Sequence, residues 1–188
     1  MNLQTDDELV SARIAGDDDD VLLVTEGGQA IRFRVADLRV ASRTSGGVRG
    51  IRLHPRDRVV AMEVVSPGQH LLTLTQQGYG KLTPSTSYPR HQRGGQGVLT
   101  FRLTDKTGLV AAAIITVVRP DQELMMVSRN GVVIRLLVQQ IARQSRLTQG
   151  VKVMNIDDED AVASLGTIGG PTNEPEPEPS PEKGRKRR

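Results

Sequence analysis

The sequence predicts an all-β, propeller-like fold of about three four-stranded blades, because two landmarks recur together along the chain. The first landmark is an apolar strand followed by a glycine turn, found at residues 22–28 (LLVTEGG), 71–78 (LLTLTQQG) and 124–131 (LMMVSRNG). The second is an arginine-led loop ending in Gly-Val, found at residues 43–48 (RTSGGV), 93–98 (RGGQGV) and 146–151 (RLTQGV). Both recur at intervals of 50 and then 53 residues, as repeats of one structural unit would.

The strands of the first unit are predicted from alternating apolar and polar residues. After a polar lead-in over residues 1–8, a strand is expected at residues 9–14. The hairpin that follows has one apolar face and one basic face, because Arg32 and Arg34 alternate with apolar neighbours. Further strands are expected at residues 48–53 and 58–65, the second of which joins the first unit to the next.

The second and third units repeat this order. The expected strands are at residues 71–75, 79–83, 98–103, 110–118, 124–128, 132–138, 151–156 and 161–168. These give blades over about residues 9–60, 58–112 and 109–168. Helical periodicity is not sustained anywhere, and its best candidate, residues 138–143, is too short for a stable helix.

Composition limits the class of protein. The 188-residue chain has no cysteine, so disulfides and thiolate metal sites are excluded. No stretch approaches the roughly 20 apolar residues of a membrane span, and the acidic N-terminus is not a secretion signal. Residues 171–188 are rich in proline and glutamate and end in a basic run, so this tail is predicted to be disordered. A cytoplasmic protein is expected.

Several segments resemble blades of the C-terminal domain of the DNA gyrase A subunit. Gyrase is a type IIA topoisomerase. The segments are residues 47–53 (GVRGIRL) with 57–60 (DRVV), 75–81 (TQQGYGK) and 147–151 (LTQGV). The resemblance covers about residues 7–170. It implies a β-pinwheel, which is a ring or spiral of four-stranded blades that wraps duplex DNA around a basic rim. Because the family's domain usually has five or six blades, this chain is expected to be its C-terminal part.

The resemblance also implies function and partners. These are sequence-independent binding and wrapping of double-stranded DNA, in support of ATP-dependent supercoiling by the whole enzyme. The implied protein partners are the gyrase B subunit together with the rest of the gyrase A subunit, in the nucleoid-associated cytoplasm and with no membrane. No cofactor is expected for this chain, since ATP and Mg would be used on other domains.

Two departures from the family pattern affect these expectations. The gyrase box has only a partial counterpart in residues 92–97 (QRGGQG), which predicts weaker DNA wrapping than by a complete domain. Neither Tyr79 nor Tyr88 has the Ala-Ala-x-Arg-Tyr-Thr context of the family's catalytic tyrosine. The chain is therefore expected to carry no catalytic residues of its own.

The candidate DNA contacts are basic residues at repeated positions. Arg43, Arg93 and Arg146 each lie four residues before the glycine of Gly-Val, so they would form a row that meets successive phosphates. The alternative is that each caps its own loop by bonding carbonyls. A second set lies on the hairpins, strands and adjoining loops, where a merely solvated face is the alternative: Arg32, Arg34, Arg49, Arg52, Lys81, Arg90, Arg102, Arg135 and Lys152.

Other site chemistry is disfavoured, and two rival functions remain open. Residues 17–20 (DDDD) lack the ligand spacing of a calcium loop, and His54, His70 and His91 have no neighbouring His or Cys for zinc. One rival is a propeller-like module that binds a protein. The other is a gene fragment that does not fold alone. The DNA hypothesis requires that Arg43, Arg93 and Arg146 share one rim.

Overall fold

The computed structural model describes residues 7–42 and 45–168. Arg43 and the tail predicted to be disordered lie outside these residues. Within them the chain forms eleven strands and three short 3-10 helices, which confirms the all-β class. The strands are β1 (Asp20–Thr25), β2 (Gln29–Arg34), β3 (Val59–Val65), β4 (His70–Thr75), β5 (Tyr79–Pro84), β6 (Val98–Leu99), β7 (Val110–Thr116), β8 (Glu123–Ser128), β9 (Val133–Leu137), β10 (Val151–Lys152) and β11 (Val162–Ile168). The 3-10 helices are Val35–Asp37, Ser85–Ser87 and Val138–Gln140.

Each repeat contributes an antiparallel hairpin at its first landmark: β1–β2, β4–β5 and β8–β9. The turns close at Gly28, Gly78 and Gly131, whose φ angles are 78°, 73° and 84°. This left-handed conformation strains any residue with a Cβ, which explains why glycine recurs there.

The strands form three sheets, and two of them contain a strand from the following unit. The orders are β3-β1-β2-β6 (blade 1), β10-β5-β4-β7 (blade 2) and β11-β8-β9 (blade 3). Strand β6 follows β5 in the chain but pairs with β2 of blade 1, and β10 follows β9 but pairs with β5 of blade 2. Strand exchange therefore joins neighbouring blades. In the described residues blade 3 has only three strands.

Two of the three core clusters lie between the blades. Side chains of successive strand residues point to opposite faces, so Leu71 joins the cluster between blades 1 and 2 while Leu72 joins the cluster between blades 2 and 3. Phe101 and Met154, from the segments after β6 and β10, are fully buried in these two clusters. Burial of each such side chain contributes about 1.5–3 kcal/mol. The exchanged segments thus supply core residues as well as strands.

Two predicted strands are absent from the described structure. Residues 9–14 form no strand, and Leu9 and Ile14 in them are exposed. Residues 48–53 form none either: Ile51 packs in a cluster with Phe33 on blade 1. Both segments lack a hydrogen-bonding neighbour strand among the described residues, and a strand cannot form a ladder without one.

The exchanged strands are also shorter than predicted. Ladder pairing at residues 98–103 and 151–156 is limited to the two residues of β6 and of β10. Beyond them the chain turns so that Phe101 and Met154 enter the core.

Candidate nucleic-acid interface

The candidate interface is the outer edge of blades 1 and 2. On blade 1 it is the side of β2 that faces away from β1, and on blade 2 it is the side of β5 that faces away from β4. On blade 1 this edge is covered by residues 88–98 of the second unit. Arg90 forms a parallel bridge with Arg32, the His91 N–H donates to the Arg32 carbonyl at 2.7 Å, and Val98 pairs with Ala30. We call residues 88–98 the first edge loop.

Blade 2 carries a second edge loop, residues 141–151, in the matching position. Arg143 forms a parallel bridge with Leu82, the Gln144 N–H donates to the Leu82 carbonyl at 2.9 Å, and Val151 pairs with Gly80. Because the two blades are adjacent and the two loops have the same register, equivalent basic residues recur from one outer edge to the next.

Arg93 and Arg146, the two described members of the repeated row, bond to carbonyls of the preceding unit. Arg146 Nη1 donates to the Leu99 carbonyl at 2.8 Å, and Arg93 Nη1 donates to the Arg49 carbonyl at 3.4 Å. The alternative interpretation expected such bonds within each arginine's own loop, whereas here they join two units. A guanidinium has five N–H donors, so one bond to a carbonyl leaves capacity for an anion. Arg93 is exposed and Arg146 is partly buried.

The partial gyrase box, residues 92–97, makes close backbone contacts. The Gly94 N–H donates to the Gly50 carbonyl at 2.6 Å, and the Gly95 carbonyl accepts from the Arg52 N–H at 2.7 Å. A Cβ on Gly97 would lie 2.3 Å from the Ala30 carbonyl oxygen. Glycine is thus required here because two backbones lie against each other.

Three arginines of the predicted set are paired with carboxylates. Arg32 Nε donates to Asp20 at 2.6 Å, and Asp20 is only 1% exposed. Asp20 also accepts from Arg90 Nε at 2.9 Å. In blade 3, Arg135 forms an ion pair with Glu123 at the equivalent hairpin position. These carboxylates offset the arginine charge and make Arg32, Arg90 and Arg135 weaker candidates for phosphate contact.

Lys81 requires a correction, because its side chain is fully buried. Its Nζ donates to the carbonyls of Ser145 and Arg146, both at 2.8 Å, and of Thr148 at 2.7 Å. The ammonium also lies 4.7 Å from the centroid of the Phe101 ring. Burial, with a smaller effect of the Arg146 charge, lowers the pKa of Lys81 to about 8. Lys81 therefore holds the second edge loop to blade 2 and does not face solvent.

Eight members of the predicted set are exposed to solvent, and their contact with DNA stays a prediction. They are Arg34, Arg49, Arg52, Arg90, Arg93, Arg102, Arg135 and Lys152. The sequence argument missed Arg143, which is exposed in the second edge loop. Its position 53 residues after Arg90 is the signal that identifies it.

Over residues 7–42 and 45–168, no three His, Asp or Glu side chains are grouped so as to hold a metal ion. The same residues include no helix long and apolar enough to cross a membrane.

Repeated antiparallel sheets with exchanged outer strands define a propeller-type repeat domain. The family model described as the DNA gyrase C-terminal domain, beta-propeller, matches residues 19–66, 69–116 and 122–168. The chain belongs to this family, which confirms the resemblance predicted from the sequence.

Curated relatives and solved structures agree with this assignment. The DNA gyrase A protein of Dehalogenimonas lykanthroporepellens is 46% identical over 89% of this chain and 21% of its own length. That of Mycobacterium tuberculosis (strain H37Rv) is 40% identical over 88% of this chain and 20% of its own length. The chain thus spans about a fifth of these relatives.

A solved DNA gyrase A C-terminal domain superimposes with a TM-score of 0.81 at 27% identity, over 89% of this chain and 57% of that one. The C-terminal domain of DNA topoisomerase IV has the same fold, with a TM-score of 0.82 at 21% identity, over 89% of this chain and 52% of that one. The β-pinwheel architecture is confirmed.

Proposed function

We propose that this chain binds and wraps duplex DNA without sequence preference, as the C-terminal part of a DNA gyrase A subunit. The observation that supports this is the equivalent placement of two basic edge loops on adjacent blades. Arg93 lies in the first loop, and Arg146 occupies the same position in the second. Arg90 and Arg143 are a second equivalent pair, in which Asp20 offsets the charge of Arg90.

A duplex presents phosphates at regular intervals, so cations repeated from blade to blade can neutralise successive backbone positions. Exposed Lys152, directly after the second edge loop, adds a further cation there. Contacts of this kind carry no base information, which accounts for binding without sequence preference. Bending a short duplex costs about 1–10 kcal/mol, and a continuous row of phosphate contacts offsets that cost.

In the assembled enzyme the wrapped DNA would support ATP-dependent supercoiling together with the gyrase B subunit plus the rest of the gyrase A subunit. DNA cleavage and ATP hydrolysis would occur on those other parts. The chain would act in the cytoplasm, on nucleoid DNA, as a positioning module for the DNA segment.

The test is a titration of the full chain with a short DNA duplex at several salt concentrations. The variant Arg93→Ala/Arg146→Ala removes the two described arginines of the repeated row. The control Arg13→Ala/Arg58→Ala removes the same charge from arginines that are paired with Glu63 and Glu26. Each lost phosphate contact lowers the slope of log K against log salt by about 0.9. The first variant should therefore lose about 2 units of slope, and the control should keep the native slope.

Binding that is equally salt-dependent in both variants would exclude the row as the DNA track. A folded chain that does not bind DNA at low salt would overturn the proposal and favour a protein partner.

A further inference from the structure

One segment of the first unit has the form of an exchanged strand, yet it joins no sheet among the described residues. Residues 47–53 correspond to residues 97–103 and 150–156 in the later units. Those segments supply β6 and β10 to the preceding blade. Among the described residues no strand pairs with residues 47–53. We call this segment the donor.

The donor makes hydrogen bonds to the following unit that match those made by residues 97–103. The Arg52 N–H donates to the Gly95 carbonyl at 2.7 Å, just as the Arg102 N–H donates to the Thr148 carbonyl at 3.0 Å. The Arg49 carbonyl accepts from Arg93 as the Leu99 carbonyl accepts from Arg146. The donor is therefore held in place, which lowers the entropic cost of adding it to a sheet.

The outer edge of β9 in blade 3 is the matching edge, and no strand of residues 7–42 or 45–168 pairs with it. The turn carbonyl of Gly78 accepts from the Val153 and Met154 N–H groups at 2.8 and 3.1 Å, and that of Gly28 is used in the same way. A Cβ on Gly78 would lie 2.1 Å from the Met154 carbonyl oxygen. The equivalent Gly131 has the same left-handed conformation, yet no heavy atom of the described residues lies within 4 Å of such a Cβ. We call this edge the acceptor.

Both surfaces expose apolar side chains that would cover each other. Val48 and Leu53 of the donor are 40% and 42% exposed, and Val132 and Val133 at the acceptor are 48% and 57% exposed. In blade 1 Val98 pairs with Ala30, and Leu99 with Gln29. Shifting this register by the repeat intervals places Val48 of the donor opposite Val133 of the acceptor, and Arg49 opposite Val132.

The order of the blades indicates which molecule can supply a strand to the acceptor. Blade 2 stands between the donor on blade 1 and the acceptor on blade 3, so one copy cannot join its own two surfaces. The chain covers 57% and 52% of the two solved C-terminal domains, so two copies match about one such domain in length. A donor-to-acceptor contact is heterologous, and such contacts form a ring where the rotation closes.

We propose that two copies of this chain associate head to tail, each adding residues 47–53 to the β9 edge of the other, to close a six-bladed ring. This inference is independent of DNA binding, and its tests use no DNA.

The first test is sedimentation equilibrium of the full chain and two variants. Val48→Asp places a charge on the donor, and Val133→Asp places one on the acceptor; both positions are exposed, so circular dichroism should show a native fold. The native chain should form dimers, and each variant alone should be monomeric. An equimolar mixture of the variants should form dimers again, because one of its two interfaces has an intact donor and an intact acceptor.

The second test fixes the register by cross-linking. The chain has no cysteine, so Val48→Cys/Val133→Cys introduces only the intended pair. Directly opposite Cβ atoms in a sheet are about 4.5–5.5 Å apart, within reach of a disulfide after small adjustments. Mild oxidation should give a covalent dimer. The control Val48→Cys/Met125→Cys places the second thiol on the middle strand β8 and should remain uncross-linked.

A monomer at the highest soluble concentration would overturn the proposal. So would dimers that both aspartate variants still form alone, or equal cross-linking in the control. The first of these outcomes would leave the acceptor to a preceding blade of a longer chain.

Discussion

The guanidinium of Arg146 donates to the main-chain carbonyl of Leu99 at 2.8 Å, and this bond ties the third repeat unit to the second. Arg93 makes the corresponding bond to the Arg49 carbonyl, at 3.4 Å. The repeated arginine is therefore part of the junction between units as well as a candidate for DNA contact. Its replacement should affect stability and DNA binding together.

Arg146→Ala should lower the free energy of unfolding by about 1–2 kcal/mol, because a charged hydrogen bond to a main-chain carbonyl is lost. Arg93→Ala should cost less, since its bond is longer and its side chain is exposed. Urea denaturation of both variants measures the difference. Equal losses would show that the bond to Leu99 contributes nothing specific.

Lys81→Met should be more damaging, since the variant leaves three carbonyls without the ammonium that they share. The expected loss is about 2–4 kcal/mol of unfolding free energy. Lys106→Met is a matched control, because Lys106 is exposed and lies over the Tyr79 ring at 5.5 Å. A loss in the control as large as that in Lys81→Met would contradict a specific role for the buried ammonium.

The stabilising effect of Lys81 should also depend on pH. Its pKa is lowered from 10.5 to about 8 in the folded chain. Between those values the unfolded chain binds a proton that the folded chain has released, so stability rises with pH. The stability difference between the native chain and Lys81→Met should therefore grow as pH increases through this window. Chemical denaturation at several pH values measures it, and a difference that shrinks would reverse the inferred direction of the pKa shift.

Substitutions at two turn glycines, Gly78 and Gly131, distinguish the cost of backbone strain from the cost of a steric clash. Gly78→Ala and Gly131→Ala both place a Cβ at positive φ, which costs about 1–3 kcal/mol. Only at Gly78 would the Cβ also meet the Met154 carbonyl, at 2.1 Å. Both substitutions are made in the Val48→Asp variant, so that the proposed dimer contact at Gly131 is removed. In this variant Gly78→Ala should lower the melting temperature clearly more than Gly131→Ala, and calorimetry measures the difference. Similar decreases would mean that the strand after β10 adapts to the methyl group.

Much of the fold could be predicted because the repeats give the same signal three times. An apolar strand before a glycine turn predicted each hairpin, and the segments around Gly47 and Gly78 indicated the family. The exchange of strands could not be predicted in this way. Alternation shows that residues 98–99 suit a sheet, but it does not show which blade they join. Residues 48–53 have the same pattern and form no strand, because pairing depends on a neighbour.

The candidate site was harder to predict than the fold, and Lys81 shows why. Alone, a lysine that alternates with apolar residues in a hairpin indicates a solvated face. The repeat intervals place Lys81 in the position of Ile31 and Ile134, the first of which is fully buried. Comparison between units therefore indicates burial, whereas charge alone indicates exposure. The carboxylates that pair with Arg32 and Arg135 come from the opposite strands of their hairpins, and a search for basic residues alone does not find them.

The exchanged outer strand has a consequence for how such domains change in size. Because each sheet is completed by a strand from the next unit, the boundaries of the sheets do not coincide with the boundaries of the sequence repeats. Dividing the chain between residues 66 and 69 separates two matches to the family model, but it also removes β6 from the sheet of blade 1. Both junctions in the described residues use the same pairing of a Gly-Val segment with a glycine turn. Whole units can therefore be inserted or deleted by recombination without a newly evolved interface, and the number of blades is free to vary among descendants of one ancestor.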